Sequence, residues 1–419
     1  MNNTLVNAVL IINPLASPAY LNEKFKNAGY VILTCFTNAE VDYLIKPSLD
    51  AELYDFTVFL TKDFGEDIKL INDIITEHHL NIVLAFSSSE YDLVYSDKLA
   101  HHFCPHATNS PDTALWRCNK RFMNTRLTDN GTPATKQTLI STLDDIHWDE
   151  LEFPLVIKPA EGASGSIGVL MCYTPDDLKA YFNDLDNKKW AHCFLPKVFL
   201  LEELLVGEEY IIDMVAWGSE YHLIGIYYAE KEVYGGIKIC RHREFLNHNH
   251  PIAKQLFEYC STVLKNLDVN YGMMHLECML TQDGPRLIEL NPRVSGVSGM
   301  LNYFSEALTG EDQASCFINL MRSQGKIAKN NNPQDPKYGV VFYLQNFGFK
   351  YDKINEPLFR EVPSYQRHLV KIPHQPEKSY PQNLFDTVAF VILVGDSEAQ
   401  VNNDLNTLKK WEAAGVFFE

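Results

Sequence analysis

Apolar residues near the N-terminus fall in short runs. Val6 to Ile12 is the first, and it predicts a buried strand. Ser17-Pro18 reads as a helix cap with Pro at the first helical position, and Gly29 closes that helix. Tyr30 to Phe36, Phe56 to Leu60 and Ile82 to Phe86 predict three more strands, with a helix from Ile68 to His78 between the last two. Strands alternating with helices in this rhythm predict a parallel sheet. No GxGxxG follows the first strand, so a dinucleotide site of the Rossmann type is not supported.

The pattern changes at Ser110-Pro111. Asp112 to Leu127 predicts a helix that ends near Gly131-Thr132-Pro133. From Phe153 to Ile226 the chain is strand-rich, with turns at Gly162 to Gly168 and at Gly207. Val233 to Pro251, carrying Gly, His and Arg, predicts a long loop. A helix over Ile252 to Leu267 follows, then two strands joined by a tight turn. Asn330 to Pro336 is polar and contains Pro, as linkers do. Thr387 to Val394 predicts a last strand, and a helix begins near Ser397 and stops at Gly415. The chain divides on this basis into an αβ unit at 1–110, a central unit at 111–330 and a C-terminal αβ unit at 331–419.

Composition narrows the function. The formal net charge of -18 argues against nucleic acid as a main partner, because backbone phosphates require a basic surface. Nine scattered cysteines without a CxxC pair suggest reduced thiols, and the N-terminal apolar run is too short for a signal peptide or a membrane span. These features predict a soluble, cytoplasmic protein, with no membrane partner.

The most informative local pattern is at residues 273–293. Met273 to Leu280 alternates, Arg286 to Asn291 alternates, and Thr281 to Pro285 between them is a turn sequence. A hairpin symmetric about Asp283 sets Glu277 opposite Glu289 and His275 opposite Asn291. Glu277, Glu289 and Asn291 then share one face. Opposed carboxylates repel, and a shared proton or a cation offsets the repulsion. Two carboxylates and an amide oxygen are hard ligands suited to Mg²⁺ that also holds phosphates. The other reading is a strand face whose carboxylates point into water; the hairpin alone leaves both open. Arg293 follows within reach of an anion, and Ser295, Gly296, Ser298 and Gly299 form a small-residue loop.

A second pattern is the strand Phe153 to Lys158, followed by Gly162, Ser164, Gly165, Ser166 and Gly168. Such a loop offers N–H groups and hydroxyls to phosphate oxygens. It lacks GK[ST] and joins strand to strand, so it is a hairpin flap rather than a Walker A loop. The span 200–210 carries acids that can accept from an adenine amine or ribose hydroxyls. Residues 231–250 are locally basic in an acidic chain, which suits an incoming carboxylate, with an exposed loop of incidental charge as the alternative. Glu90, at the end of a strand in the first unit, is placed for a substrate-side contact.

In order, Asn119-Lys120-Arg121, the Lys158 strand with its glycine loop, the Glu202–Tyr210 hinge and the HLEC…IELNPR hairpin resemble the ATP-grasp superfamily over most of the chain. The resemblance implies an α/β and α+β multidomain architecture: a Rossmann-like N-terminal domain, then an ATP-grasp domain with a lid part at 111–205 and a metal- and substrate-binding part at 206–330. It implies that Lys120, Lys158 and the loop Gly162 to Gly168 contact the ATP phosphates. Glu202 and the backbone near Leu205 would read adenine, and Glu209 the ribose. Glu277, Glu289 and Asn291 would hold one or two Mg²⁺, or Mn²⁺ in its place. Arg293 would stabilise the transferred phosphoryl group, with Lys231 as a further phosphate contact. Arg241, Arg243, Ser295, Gly296 and Glu90 are candidate substrate contacts.

Within the superfamily the layout is most similar to L-amino-acid ligases that make dipeptides. The implied activity joins a small-molecule carboxylate, an amino acid, to an amine through an acyl-phosphate, releasing ADP. Val294 to Gly299 stands where carboxylases and purine-pathway members carry a His-containing segment, and there is no Met-Lys biotin motif. The rivals are a ligase that loads a carrier-protein thiol, a biotin-type carboxylase and a non-catalytic ATP-binding protein. A homodimer is the common assembly for soluble enzymes.

Overall fold

The four N-terminal apolar runs are strands β1 (Val6–Ile12), β2 (Val31–Phe36), β3 (Phe56–Phe59) and β4 (Leu80–Ser87). The computed structural model describes residues 5–37, 52–160, 168–185, 197–234, 237–326, 337–371, 381 and 384–419. β1 to β4 form one parallel sheet in the order β3-β2-β1-β4. Both of its faces are covered, as a parallel sheet requires. Val9 and Ile11 pack with Tyr20 and Phe25 on one side, and Ala8, Leu10 and Ile12 with Ile71 and Leu99 on the other. The first helix, Pro18–Asn27, starts where the Ser-Pro pair predicts. Ser17 does not cap it by a side-chain hydrogen bond, however. Its hydroxyl donates to the Ser295 carbonyl at 2.7 Å, tying this sheet to a loop far along the chain.

The helix predicted over Asp112 to Leu127 is broken. A 3-10 turn at Pro111–Thr113 and a short helix, Ala114–Cys118, lead to Asn119 in an extended conformation. The Asn119 side chain accepts from the Arg121 and Phe122 N–H groups and starts a new helix, Lys120–Asp129. An asparagine that can satisfy two free N–H groups favours the cap over the helix interior. The break sets Lys120 in a first helical turn.

Strands β5 (Gln137–Ile140), β6 (Leu155–Pro159), β7 (Leu170–Cys172) and β8 (Phe199–Glu203) form a small antiparallel sheet in the order β5-β8-β6-β7. Helix Pro175–Asn183 backs it through Leu178 and Tyr181. Gly162, Ser164, Gly165 and Ser166 lie outside the described residues, as does the linker expected at 330–336.

The third sheet comprises β9 (Glu208–Trp217), β10 (Glu220–Tyr234), β11 (Ile237–Phe245), β12 (Tyr271–Thr281), β13 (Gly284–Asn291), β14 (Tyr338–Leu344), β15 (Tyr365–Val370) and β16 (Ala389–Gly395). Its order is β13-β12-β9-β10-β11-β14-β16-β15. The loop expected over Val233 to Pro251 is therefore corrected: β10 runs on to Tyr234, and β11 occupies most of the rest. Charged residues disguised the alternation, since Ile239, Arg241 and Arg243 are all buried. β11 has a partner on each side, and that tertiary pairing overrides composition. The sheet is continuous across residue 330, because β14 pairs with β11.

The two faces of this sheet differ. Ile212, Met214, Met274, Leu276 and Cys278 pack on helix Pro251–Asn266 through Leu256, Cys260 and Val263. On the opposite face, Ile211, Tyr227, Val341 and Tyr343 pack under Met300, Leu301 and Phe304 of helix Met300–Thr309. Beyond that cover, the same face becomes polar.

Candidate active site

β12 and β13 pair in the register read from the sequence, with Glu277 opposite Glu289 and His275 opposite Asn291. Just past Glu277 the register shifts, so Cys278 faces Leu287 and Ile288 is left over as a bulge. The Ile288 carbonyl accepts from Lys158 Nζ at 3.5 Å, which links the small sheet to the acidic hairpin.

Four acids of the cluster, Glu289, Glu202, Glu209 and Glu90, each have a cation beside them. Lys120 Nζ lies 2.7 Å from Glu289, Lys158 Nζ 2.7 Å from Glu202, and Lys231 Nζ 2.6 Å from Glu209. Gln137 donates to the second Glu202 oxygen at 2.6 Å. Arg293 Nε holds Glu90 at 2.5 Å, and its Nη2 donates to Asn291 at 3.3 Å. Glu90 follows the carboxyl end of β4, so the N-terminal sheet closes one side of the cluster.

The charges act on one another. Burial pulls the Lys120 ammonium down, but Glu289, Glu90 and Glu202 outweigh it and hold the pKa above the ordinary lysine value. Lys231 is raised in the same way, burial being outweighed by Glu209 and Glu277. Burial pushes the Glu90 carboxyl up, yet Arg293 and Lys120 together hold it below the usual carboxylate range. Lys120, Lys158, Lys231, Arg293, Glu90, Glu202, Glu209, Glu277, Glu289 and Asn291 are thus brought together.

Behind the hairpin lies a layer that sequence reasoning missed. Asp213 on β9 sits opposite His275 and accepts from its Nδ1 at 2.7 Å, and Ser295 Oγ is 3.1 Å from the same nitrogen. His275 Nε2 stands 3.8 Å from Glu277 Oε1. A carboxylate that fixes one imidazole nitrogen sets what the other presents to its neighbour. The available signal was a lone acid inside the apolar run Ile211-Ile212-Asp213-Met214-Val215. Gln313 anchors this layer, donating to the Met214 and Met274 carbonyls and accepting from the Ser295 N–H.

The remaining candidates are placed as follows. Leu205 lies between β8 and β9, beside Gly207, where an added Cβ would meet the Leu280 carbonyl oxygen at 2.1 Å. The Gly168 carbonyl accepts from the Tyr181 hydroxyl at 2.7 Å. Gly296 abuts Arg293. Arg241 is not brought to the cluster: Glu412 of helix Glu398–Ala413 holds it in a buried ion pair. Arg243 is buried on β11 near Glu277.

Glu277, Glu289 and Asn291 fit a magnesium ion in donor chemistry. Among the described residues no group of three or more His, Cys, Asp or Glu side chains is arranged to hold a metal ion by itself. An incomplete shell of hard oxygens is what Mg²⁺ uses when phosphate oxygens and water supply the rest.

A parallel N-terminal sheet, a small antiparallel sheet and a large antiparallel sheet bearing the paired carboxylates make up the framework of the described residues. Residues 151–300 match the ATP-grasp domain family. It is 28% identical over 211 residues to dapdiamide A synthase of Enterobacter agglomerans, covering 50% of this chain and 49% of that protein. It is 25% identical over 191 residues to an L-arginine-specific L-amino acid ligase of Bacillus subtilis, covering 44% and 45%. The chain thus matches about half the length of these curated relatives. The structure of an L-amino acid ligase from Bacillus licheniformis superposes with a TM-score of 0.74 over 97% of this chain and 98% of that one, at 17% identity. That likeness establishes a shared fold. No helix among the described residues is long and apolar enough to cross a membrane.

Proposed function

We propose that this protein is an ATP-dependent ligase that joins the carboxylate of an amino acid to an amine through an acyl-phosphate. The observation that carries the reading is the Glu277–Glu289 pair on one sheet face, flanked by Lys120 and Lys158. The amino-acid ligases among its relatives support it.

A carboxylate acylates poorly because its leaving group is poor. Attack of a carboxylate oxygen on the γ-phosphorus of ATP forms a C–O–P link, breaks the β–γ bridge and releases ADP. The amine then attacks the acyl carbon, the C–N bond forms, phosphate departs, and the amine proton passes to solvent or a base. The protein's task is to align two anions and offset their repulsion. Lys120 and Lys158 reach phosphate oxygens by exchanging one carboxylate partner for another anion. Arg293 neutralises charge on the transferred phosphoryl group, while Glu90 keeps its guanidinium aimed at Asn291. Glu202 and the Leu205 backbone read the adenine edge, and Glu209 the ribose. A magnesium ion held by Glu277, Glu289 and Asn291 would supply electrophilic help to the γ-phosphate.

The test is ADP release from Mg-ATP, with amino acids supplied singly and in pairs and products identified by mass spectrometry. Pair-dependent ADP together with a condensed product is the expected result. AMP formation, or failure to bind ATP, refutes the reading; ADP formed with a carrier-protein acceptor alone would move the acceptor to a thiol.

A further inference from the structure

The polar face of the large sheet does not end at the lysine–carboxylate cluster. Residues directly opposed across strands share a face, and Glu277, Ile211, Tyr227 and Phe245 are aligned in one such row. Arg243 is two residues from Phe245 on β11, so it projects from that face too. It pairs with Ala229 on one side and Val341 on the other. Three strands across at about 4.8 Å each and two residues along, its backbone stands roughly 16 Å from that of Glu277. It lies on the side away from β13, where Lys120 contacts Glu289.

Arg243 is 8% exposed, and its Nε and Nη1 atoms are buried with no hydrogen-bond partner among the described residues. The other two buried arginines of comparable depth, Arg117 and Arg241, each give a terminal nitrogen to a carboxylate, Asp97 and Glu412 respectively. Arg243 has no such ion pair among the described residues. Two further atoms near it are buried without a hydrogen-bond partner among the described residues, the Tyr343 hydroxyl and Asp213 Oδ2. The Arg243 guanidinium lies 5.7 Å from the Tyr343 ring centroid, and Asp213 and Glu277 act on its charge. Buried charges in proteins are paired, and a guanidinium with free N–H groups beside a free hydroxyl is built for an oxyanion.

The phosphates and the transferred phosphoryl group already have cations assigned in the proposed function: Lys120, Lys158 and Arg293. A ligase of this kind handles one further anion, any carboxylate carried by the amine-side substrate. Building on that ligase reading, we infer that Arg243, with the Tyr343 hydroxyl beside it, binds the carboxylate of the amine-side substrate, so that the acceptor is an amino acid rather than a simple amine or a carrier thiol. Arg243 is in this sense a specificity-determining residue, which touches the acceptor but not the reacting atoms.

The experiment separates acid activation from acceptor binding. Hydroxylamine replaces the acceptor: its nitrogen attacks the acyl-phosphate, phosphate leaves, and a hydroxamate of the donor acid accumulates. The natural-sequence protein is expected to form hydroxamate, to condense the donor with an amino acid, and to discriminate strongly against the decarboxylated amine with the same side chain. In Arg243→Met, which keeps volume and drops charge, acceptor kcat/KM should fall roughly 10²–10³-fold, the cost of stranding one partner of a buried charge pair. Hydroxamate formation and ATP binding should stay close to the original, and Arg243→Lys should recover part of the loss. Equal use of amino acid and decarboxylated amine overturns the inference without any variant. Loss of hydroxamate formation in Arg243→Met, with ATP still bound, also overturns it and assigns Arg243 to the donor or phosphoryl group. Absence of hydroxamate from every acid with the unaltered protein refutes the ligase reading itself, and the inference with it.

Discussion

Replacing Glu412 by Ala should remove a large part of the stability of this protein. Glu412 is 1% exposed and Arg241 4%. The carboxylate accepts from both terminal nitrogens of Arg241, one at 3.2 Å, and from the Gln345 N–H at 2.7 Å. Among the described residues the other acid paired with Arg241 is Glu232, at 3.4 Å and half-exposed. Glu412→Ala therefore strands a buried guanidinium, at a cost of about 3–5 kcal/mol. It also leaves a buried N–H without its acceptor, worth about 1–3 kcal/mol before relaxation. Against a usual total of about 5–15 kcal/mol, the single variant loses a third or more of its stability. The double variant Arg241→Met, Glu412→Leu removes both charges and should cost less than Glu412→Ala alone, with a coupling energy of about 2 kcal/mol or more in the cycle. Urea unfolding of the three variants, followed by far-ultraviolet circular dichroism, measures each term. A loss below about 1 kcal/mol for Glu412→Ala, or strict additivity, would refute the reasoning. The double variant also decides what Arg241 is for: retained amino-acid-dependent ADP formation fits a structural pair, and its loss would restore a substrate role.

Three other perturbations follow from the geometry. Glu277→Gln and Glu289→Gln should each lower the rate of ADP formation roughly 100-fold or more, as for loss of one preorganised electrostatic group, and an unchanged rate would rule out the paired-carboxylate site. Asp213→Asn should raise the Mg²⁺ concentration needed for half-maximal ADP formation roughly 10–100-fold, because His275 loses the partner that fixes its ring beside Glu277; an unchanged Mg²⁺ requirement would make Asp213 purely a core residue. Burial holds the His248 imidazole below its ordinary value of 6.5, so the unfolded chain binds the extra proton. The stability His248 contributes is complete above that ordinary value and falls as pH drops below it, so His248→Phe should flatten the stability curve from about pH 7 to about pH 5; an unaltered slope would exclude this account.

The acidic hairpin was legible because strand periodicity is fixed at two and its turn is marked by composition, so a single assumed turn set every facing pair. Its bulge at Ile288 was not legible, since no residue type announces a skipped register position. β11 failed for the opposite reason. Arg241 and Arg243 occupy inward positions, and a pattern that counts charge as outward reads them as loop. What accommodates them comes from far away in sequence, Glu412 in one case and the polar sheet face in the other. The break at Asn119 was hidden because asparagine is tolerated inside a helix and only its hydrogen bonds reveal a cap. Lys120, and the particular roles given to Lys158 and Glu202, came through resemblance to a family. Asp213 and Gln313 carry no such motif and emerge only from contacts.

β12 carries two separate inheritances on one backbone. Met274, Leu276 and Cys278 face the helix behind the sheet, while His275 and Glu277 face the chemistry. Between Met274 and Cys278 parity therefore divides the strand into positions that answer to volume and positions that answer to charge. Drift at the even positions can proceed by exchange among similarly sized apolar residues without moving the carboxylates. Drift at the odd positions has no such latitude. A library varied at alternate residues would let the two constraints be explored independently, and an altered reaction could be sought on a scaffold whose support is left untouched.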